Sequence, residues 1–150
     1  MMIKTIEQVN EEVMALLLVA DPSRGQVEGY LVNSTIFVYE DDQEVVGVIV
    51  LKQHDEDYTE IMNVSVRESH RGRGIAKELM QKSVDYSREL EVSHVDIATA
   101  NSSINQLALY QKSGFRITDI NKNHFLNHYE TPIWENGIQA KDQLVLTYEL

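Results

Sequence analysis

Residues 63–76 read Asn63-Val-Ser-Val-Arg-Glu-Ser-His-Arg-Gly-Arg-Gly-Ile-Ala76, a strand that passes through a loop rich in glycine and arginine into a helix. The first turn of a helix has backbone N–H groups without intrahelical partners, and the helix macrodipole places roughly half a positive charge there. Gly72 and Gly74 permit close backbone approach, while Arg71 and Arg73 add hydrogen-bond donors. This junction therefore predicts an anion cradle suited to a pyrophosphate.

The chain is acidic as a whole, but it has a basic stretch around this junction. The 150 residues carry 24 acids and 13 bases, a formal charge of −11. Residues 67–82 hold five bases and two acids, a net charge of +3, so that the remainder carries −14. Such a field repels polyanions, and we expect the protein to bind neither nucleic acid nor a membrane surface.

The composition also bounds the class of protein. The chain contains no cysteine, which excludes disulfides, thiolate metal ligands and a thiol nucleophile. The apolar run at 13–20 is too short to span a bilayer, and it follows acids where a secretory signal would have bases. We therefore expect a cytoplasmic protein with one domain over residues 1–150.

Hydrophobic periodicity and turn signals predict the order β-α-α-β-β-β-α-β-α-β-β, a mixed α/β three-layer pattern. Asn10 is the expected N-cap of the first helix, and Gly114 is expected in a left-handed conformation after the fourth. The expected strands are 2–7, 35–39, 45–51, 58–66, 95–99, 115–120 and 143–148, and the expected helices are 10–20, 23–32, 75–90 and 104–112.

Two familiar phosphate loops fail on this sequence. The Walker pattern is absent, and the dinucleotide fingerprint needs a small residue where Lys77 stands. The pattern that fits is Arg71-x-x-Gly74-x-Ala76, which resembles the acyl-CoA loop of the GCN5-related N-acetyltransferase (GNAT) family. The later segment Leu109-Tyr110-Gln-Lys-Ser-Gly114-Phe115 is similar to the closing motif of the same family.

The resemblance implies a GNAT-type three-layer α/β/α sandwich with a mixed, mostly antiparallel central sheet. It implies an N-acetyltransferase with acetyl-CoA as co-substrate and no metal. The implied acetyl-CoA contacts are the pyrophosphate loop, the end of the preceding strand and two later asparagines: Arg71, Gly72, Arg73, Gly74, Ile75, Ala76, Val64, Val66, Asn101 and Asn105. The usual Asn-x-x-Ala of the family falls on Ser103 and Gln106, a departure that bears on the two asparagines.

Two residues are predicted to carry the chemistry. Tyr110 matches the family's general acid, because a phenol can stabilise the thiolate that leaves the thioester. From spacing alone, Tyr110 could equally be a core tyrosine under a glycine C-cap. Glu60 is the predicted base for the amine, since even spacing on its strand puts it on the same face as Val64 and Val66. The alternative for Glu60 is a solvated acid like its neighbours at 55–57.

The acceptor is expected to be a cationic primary amine of a small molecule, attracted by the negative field and attacking acetyl-CoA directly. A protein N-terminus or lysine is the alternative acceptor. A non-catalytic acyl-CoA sensor and an unrelated phosphate-binding module are the alternative functions. The segment 123–137 is expected to cover the acceptor site, with Phe37 and Tyr30 as further candidates for that pocket. His124 and His128 are expected to be surface histidines rather than metal ligands. The family resemblance also allows a homodimer.

Overall fold

The computed structural model describes residues 2–150, in which the chain forms nine strands and five α-helices. A turn of 3₁₀-helix at Glu68–His70 precedes the third helix. The elements in chain order are β1 Met2–Ile6, α1 Glu11–Ala20, α2 Arg24–Leu31, β2 Thr35–Asp41, β3 Glu44–His54, β4 Tyr58–Val66, α3 Ile75–Glu89, β5 His94–Ala100, α4 Ile104–Lys112, β6 Arg116–Asn121, α5 His124–His128, β7 Trp134–Glu135, β8 Ile138–Gln139 and β9 Gln143–Glu149.

Seven strands form one sheet in the order β1-β2-β3-β4-β5-β9-β6. Every neighbouring pair is antiparallel except β4 and β5, which run parallel. Helices α1 and α2 cover one face of this sheet, and α3 and α4 cover the other. The predicted three-layer α/β/α sandwich with a mixed, mostly antiparallel sheet is confirmed.

The two helical layers are built from separate apolar clusters. On the α1/α2 side, Val13, Leu17 and Val27 pack on alternate residues of β2 and β3. Helix α1 begins where the sequence predicts, because the side chain of Asn10 accepts the backbone N–H of Val13 at 2.9 Å. On the α3/α4 side, fully buried residues such as Leu79 form the larger cluster, where truncation to alanine costs about 2–5 kcal/mol.

Strand β4 contains a β-bulge at Met62 that reverses the faces of the strand beyond it. Ile61 pairs with Leu51, whereas Asn63 pairs with Val50, so Met62 has no residue opposite it on β3. Ile61 belongs to the α3/α4 cluster, yet Asn63, two residues later, donates to the carbonyl of Leu17 on α1. The strand therefore presents opposite sets of side chains before and after the bulge.

Strands β4 and β5 also separate at this point. Their parallel pairing runs from Tyr58 opposite His94 to Ile61 opposite Ile97 and ends there. Residues 63–66 of β4 continue to pair with β3 on their other edge, and residues 98–100 of β5 continue to pair with β9. A gap thus opens between two strands in the middle of the sheet, with backbone polar groups along its edges.

The C-terminal region holds elements that the sequence did not indicate. Helix α5 and the β7–β8 hairpin lie in the segment between 121 and 143, where apolar periodicity is weak. Strand β6 lies at the edge of the sheet with all six residues exposed. Over residues 2–150, no helix has the length and apolar content needed to cross a membrane.

Candidate active site

A cavity of about 990 Å³ occupies the gap between β4 and β5. Its walls come from β4, β5, the end of α1, helix α2, helix α4 and the α5 segment. Because the gap passes through the sheet, the cavity is reached by side chains from both helical layers. Three of the predicted site residues line it: Glu60, Val64 and Tyr110. Val66 instead packs against the α3/α4 apolar cluster.

The glycine-arginine loop folds as a cradle at the start of α3. Gly72 has φ +78° and Gly74, the N-cap of α3, has φ +80°, a region that residues with a Cβ rarely adopt. A Cβ at either position would meet nothing within 4 Å, so conformation rather than space requires the glycines. The first N–H groups of the 15-residue helix α3 therefore face a short, open loop.

Ion pairs hold this loop against the rest of the fold. The guanidinium of Arg67 pairs with Glu12 at 2.9 Å and with Glu44 at 3.1 Å, and His70 lies 3.0 Å from Asp41. No ion pair within residues 2–150 uses Arg71, Arg73 or Lys77, although Nε of Arg71 donates to the carbonyl of Val66 at 3.2 Å. Most of the positive charge of the loop is thus available to an anion.

A smaller hollow of about 280 Å³ lies beside the start of α3, between it and the end of α4. Its lining includes the two bases Lys77 and Lys112. It extends the positive surface of the cradle along α3. The sequence motif gave Lys112 no role, since the closing pattern only placed that residue near a helix end.

Tyr110 lies in α4 with its side chain in the cavity wall and only 6% of the residue exposed. Burial raises the pKa of Tyr110 to about 12, so the phenol keeps its proton at neutral pH. No residue of the 2–150 range makes a hydrogen bond to its hydroxyl. The predicted left-handed residue after this helix is confirmed, because Gly114 has φ +98°.

Glu60 lies on the opposite side of the sheet from Val64, which corrects the expectation that even spacing places them on one face. Glu60 pairs with Lys52 and Val64 pairs with Ile49, and these two positions on β3 point to opposite faces. The bulge at Met62 adds one residue between them and reverses the alternation. Glu60 therefore reaches the cavity from the α1/α2 side.

The two predicted asparagines lie outside the cavity lining. The amide of Asn101 donates to the carbonyl of Gln139 at 3.2 Å, and its oxygen accepts the N–H groups of Lys141 and Asp142 at 2.8 and 3.0 Å. Asn105 is exposed on the outer side of α4. The structure thus ties Asn101 to the segment before β9, and a pantetheine contact of either asparagine stays a prediction.

Ser103 and Gln106 line the cavity in their place. These are the positions onto which the family's Asn-x-x-Ala pattern falls when counted back from Tyr110. Ser103 Oγ donates to Glu135 Oε1 at 2.9 Å, which joins the start of α4 to the β7–β8 hairpin. Counting back from Tyr110 therefore predicted the lining residues of α4, whereas the search for asparagines did not.

A hydrogen-bonded chain forms the wall on the α1/α2 side. Nδ2 of Asn63 donates to the hydroxyl of Tyr30 at 2.9 Å, and that hydroxyl donates to Oδ2 of Asp21 at 3.3 Å. Burial, followed by the charge of Asp21, raises the pKa of Tyr30 to about 12, against the lowering effect of Asn63. Tyr30 thus belongs to the pocket, whereas Phe37 lies in the core against Tyr86.

Helix α5 and the residues after it, up to 133, form part of the cavity wall. His124, Phe125, His128 and Tyr129 all line it, whereas Trp134 is 63% exposed outside it. The rings of His124 and His128 stack at 4.4 Å. Burial, followed by the charge of His128, lowers the pKa of His124. Within the described residues, no group of three His, Cys, Asp or Glu side chains is arranged to hold a metal ion.

The charged groups of the cavity are strongly unbalanced. Four carboxylates line it, and no lysine or arginine is among its described lining residues. The carboxylates come from four different elements or loops and are Asp21, Glu60, Glu130 and Glu135. Asp21 also follows α1, whose last turn has no basic residue to offset the negative end of the helix dipole. The cavity wall that carries these carboxylates therefore attracts cations.

Comparison with known proteins gives consistent results. The family model described as the acetyltransferase (GNAT) family matches residues 9–115. The chain is similar to YvbK, an uncharacterized N-acetyltransferase of Bacillus subtilis (strain 168), with 40% identity over 144 residues covering 96% of this chain and 93% of YvbK.

Two solved structures share the fold over nearly the full length. A GNAT family acetyltransferase from Elizabethkingia anophelis with acetyl-CoA bound has a TM-score of 0.93 and 39% identity, covering 99% of this chain and 97% of that one. An acetyltransferase of Bacillus subtilis in complex with CoA has a TM-score of 0.95 and 40% identity, with the same coverage of both chains.

Proposed function

Because the chain belongs to the GNAT family of N-acetyltransferases, we propose that it moves the acetyl group of acetyl-CoA directly to a primary amine of a small cationic molecule. Residues 1–150 form the one acyltransferase domain of this proposal, and the cytoplasm is its proposed location. The observation that carries the proposal is the gap between β4 and β5, which has Glu60 on one side and Tyr110 on the other.

The residues on the α3 side fit the anionic part of acetyl-CoA. The cradle formed by 71–76 offers backbone N–H groups, a helix N-terminus and exposed guanidinium groups for the pyrophosphate. The hollow with Lys77 and Lys112 is large enough to take part of the nucleotide end. On the edge of β4 that faces β5, the backbone groups of residues 62–66 pair with no strand of the sheet. They fit the amides of a pantetheine arm.

The chemistry needs an acid at the leaving sulfur and a base at the attacking nitrogen. Tyr110 reaches the gap from α4 on the side where β4 presents Val64, and its buried phenol can donate a hydrogen bond to a developing thiolate. Glu60 reaches the gap from the other side and can take a proton from an ammonium. An amine that enters from the α1/α2 side then meets the thioester carbonyl between them, in a ternary complex.

The choice of a cationic acceptor follows from the charge of the cavity. Four carboxylates line it, and no lysine or arginine belongs to the described lining. Three aromatic rings besides Tyr110 also line it: Tyr30, Phe125 and Tyr129. Carboxylates and ring faces both attract ammonium groups. A small molecule is favoured over a protein segment because α5 and the residues after it add a wall to the cavity on top of those from the strands and the other helices.

The proposal is tested with purified protein, acetyl-CoA and a panel of amines, with release of CoA thiol as the readout. The panel holds ethanolamine, 1,4-diaminobutane, spermidine, an aminoglycoside and a lysine peptide. We expect acetyl-CoA to raise the melting temperature and at least one cationic small amine to release thiol. Faster release with the lysine peptide would favour a protein acceptor. Tight acetyl-CoA binding without release for any amine would favour a sensor.

A further inference from the structure

The carboxylate of Glu60 has a histidine partner that does not belong to the described lining of the cavity. Nε2 of His54 lies 2.9 Å from Oε1 of Glu60. Glu60 lines the cavity, and His54 does not belong to its described lining but is 32% exposed in its side chain. The pair therefore leads from the cavity to solvent.

We propose that His54 is a positioning and relay residue that takes the acceptor's proton from Glu60 and passes it to bulk water. This inference rests on the proposed function, because it assigns a task within the same transfer reaction. The spacing of the sequence gave no sign of it, since the pairing of β3 with β4 across their turn brings His54 to the carboxylate.

The proton balance of the reaction requires that one proton reach water at each turnover. An ammonium and acetyl-CoA give an amide, CoA thiol and one free proton. The nitrogen loses its first proton to Glu60 before attack and its second as the tetrahedral intermediate collapses, when the C–S bond breaks and the thiolate is protonated. With the hydrogen of neutral His54 on Nδ1, the first proton then moves from Glu60 to Nε2, and a proton leaves from Nδ1 to water. Exchange of the exposed ring with water restores the Nδ1–H tautomer. Glu60 returns to the carboxylate form for the next turnover.

The imidazole of His54 is held in a fixed plane by the ring of Tyr58. His54 and Tyr58 face each other across the β3–β4 turn, and their rings stack at 4.7 Å with an interplanar angle of 19°. His94 stacks on the other face of Tyr58 at 4.9 Å and 4°. A ring fixed in this way keeps Nε2 directed at Glu60 without a large loss of side-chain freedom at each turnover.

The charged groups around the pair come from several elements. Lys52 of β3 and Asp96 of β5 lie opposite Glu60 on the two neighbouring strands, and Asp96 lies 3.7 Å from His94. The other titratable groups of the β3–β4 turn and of the cavity lining are Asp55, Glu56, Asp57, Tyr58, Asp21, Tyr30, Tyr110, His124, His128, Tyr129, Glu130 and Glu135. His94 thus has a position on Tyr58 like that of His54, but its carboxylate partner does not belong to the described cavity lining.

This symmetry supplies a matched control. His54→Gln keeps a hydrogen-bond donor beside Glu60 but cannot carry a proton, and His94→Gln removes the equivalent ring from the other face of Tyr58. With 1,4-diaminobutane or the fastest amine of the panel, we expect His54→Gln to lower kcat by about tenfold or more at pH 7. The deficit should shrink toward pH 9.5, where more of the amine is already neutral. The KM for acetyl-CoA should not change, and His94→Gln should stay within about twofold of the parent.

Chemical rescue provides a readout that a structural role would not move. Added imidazole should restore activity to His54→Ala in a concentration-dependent way and should not affect the parent. Equal kcat values for His54→Gln and His94→Gln at every pH, together with no rescue by imidazole, would overturn the relay while leaving the acetyltransferase assignment intact. A parent protein that releases no thiol with any amine would instead refute the proposed function itself.

Discussion

Replacing Tyr110 by phenylalanine should separate catalysis from stability. Tyr110 lines the cavity and no residue within 2–150 hydrogen-bonds to its hydroxyl, so removal of the hydroxyl takes away no protein hydrogen bond. We therefore expect the melting temperature of Tyr110→Phe to stay unchanged.

The expected loss of rate follows from the pKa of the phenol. Burial raises that pKa to about 12, whereas a thiol has a pKa of about 8.5, so complete proton transfer to the thiolate is uphill by ~5 kcal/mol. Tyr110 should therefore act by donating a hydrogen bond to the developing charge rather than by giving up its proton. A hydrogen bond to a charged group contributes about 1.5–3 kcal/mol, and kcat should fall by about 10- to 150-fold.

The assay is thiol release at saturating amine, followed from pH 6 to 10. The KM for acetyl-CoA should not change. Below pH 10 the parental activity should show no loss caused by ionisation of Tyr110, because the protonated phenol is the active form. Tyr30→Phe is the matched control: its hydroxyl bonds both Asn63 and Asp21, so that variant should instead lose stability, by about 1–2 kcal/mol. A Tyr110→Phe protein that keeps more than half of the parental kcat would refute the assigned role.

Four further predictions concern stability and binding. The raised folded-state pKa of Tyr110 contributes stability that is complete below pH 10 and is lost as the pH rises toward 12. Between these pH values, the free energy of unfolding should therefore fall by up to ~2.7 kcal/mol less in Tyr110→Phe than in the parent. Gly74→Ala should weaken acetyl-CoA binding by about 5- to 30-fold in calorimetry, because its φ of +80° strains any residue with a Cβ by ~1–2 kcal/mol. Gly25→Ala, in α2 with open space around it, should not weaken binding. Asp21→Asn should raise the KM for a diamine by roughly tenfold and leave the KM for acetyl-CoA unchanged, and an equal rise for both would contradict a role at the acceptor end. Asn101→Ala removes three hydrogen bonds and should cost about 1–3 kcal/mol in urea unfolding; a selective loss of acetyl-CoA binding at unchanged stability would instead support the pantetheine contact.

The sequence was sufficient for the elements whose pattern is local. Asn10 and Asp21 bound α1 through a side-chain cap and a turn, and 58–66 alternates strongly enough to be placed to the residue as β4. The order of these elements and the two glycine motifs were enough to predict the layers. The short α5 and the β7–β8 hairpin lack such signals, because they depend on packing against the cavity rather than on periodicity.

The details of the site could not be predicted because they depend on register. Counting by twos along β4 gave Glu60 and Val64 the same face, and nothing in the residues at 61–63 announces the extra residue at Met62. The same limit applied to His54, whose distance to Glu60 depends on the pairing across the β3–β4 turn. Local chemistry identified the residue types, and long-range pairing decided their positions.

The bulge also explains how one cavity can serve two ligands of opposite charge. Before Met62, β4 presents Glu60 to the α1/α2 side, where Asp21 and the end of α1 make the potential negative. Beyond Met62, the same strand presents Val64 to the α3 side and leads through 67–74 to the positive start of α3. A cation and a polyphosphate can therefore approach one point of the chain from opposite faces without sharing a path. An unbulged β4 would put Glu60 on the face of the polyphosphate, where its charge would repel the ligand that the loop attracts. Deleting Met62 should thus abolish acetyl transfer even in a protein whose far-ultraviolet circular dichroism shows that it remains folded, and preserved activity in such a protein would contradict this account.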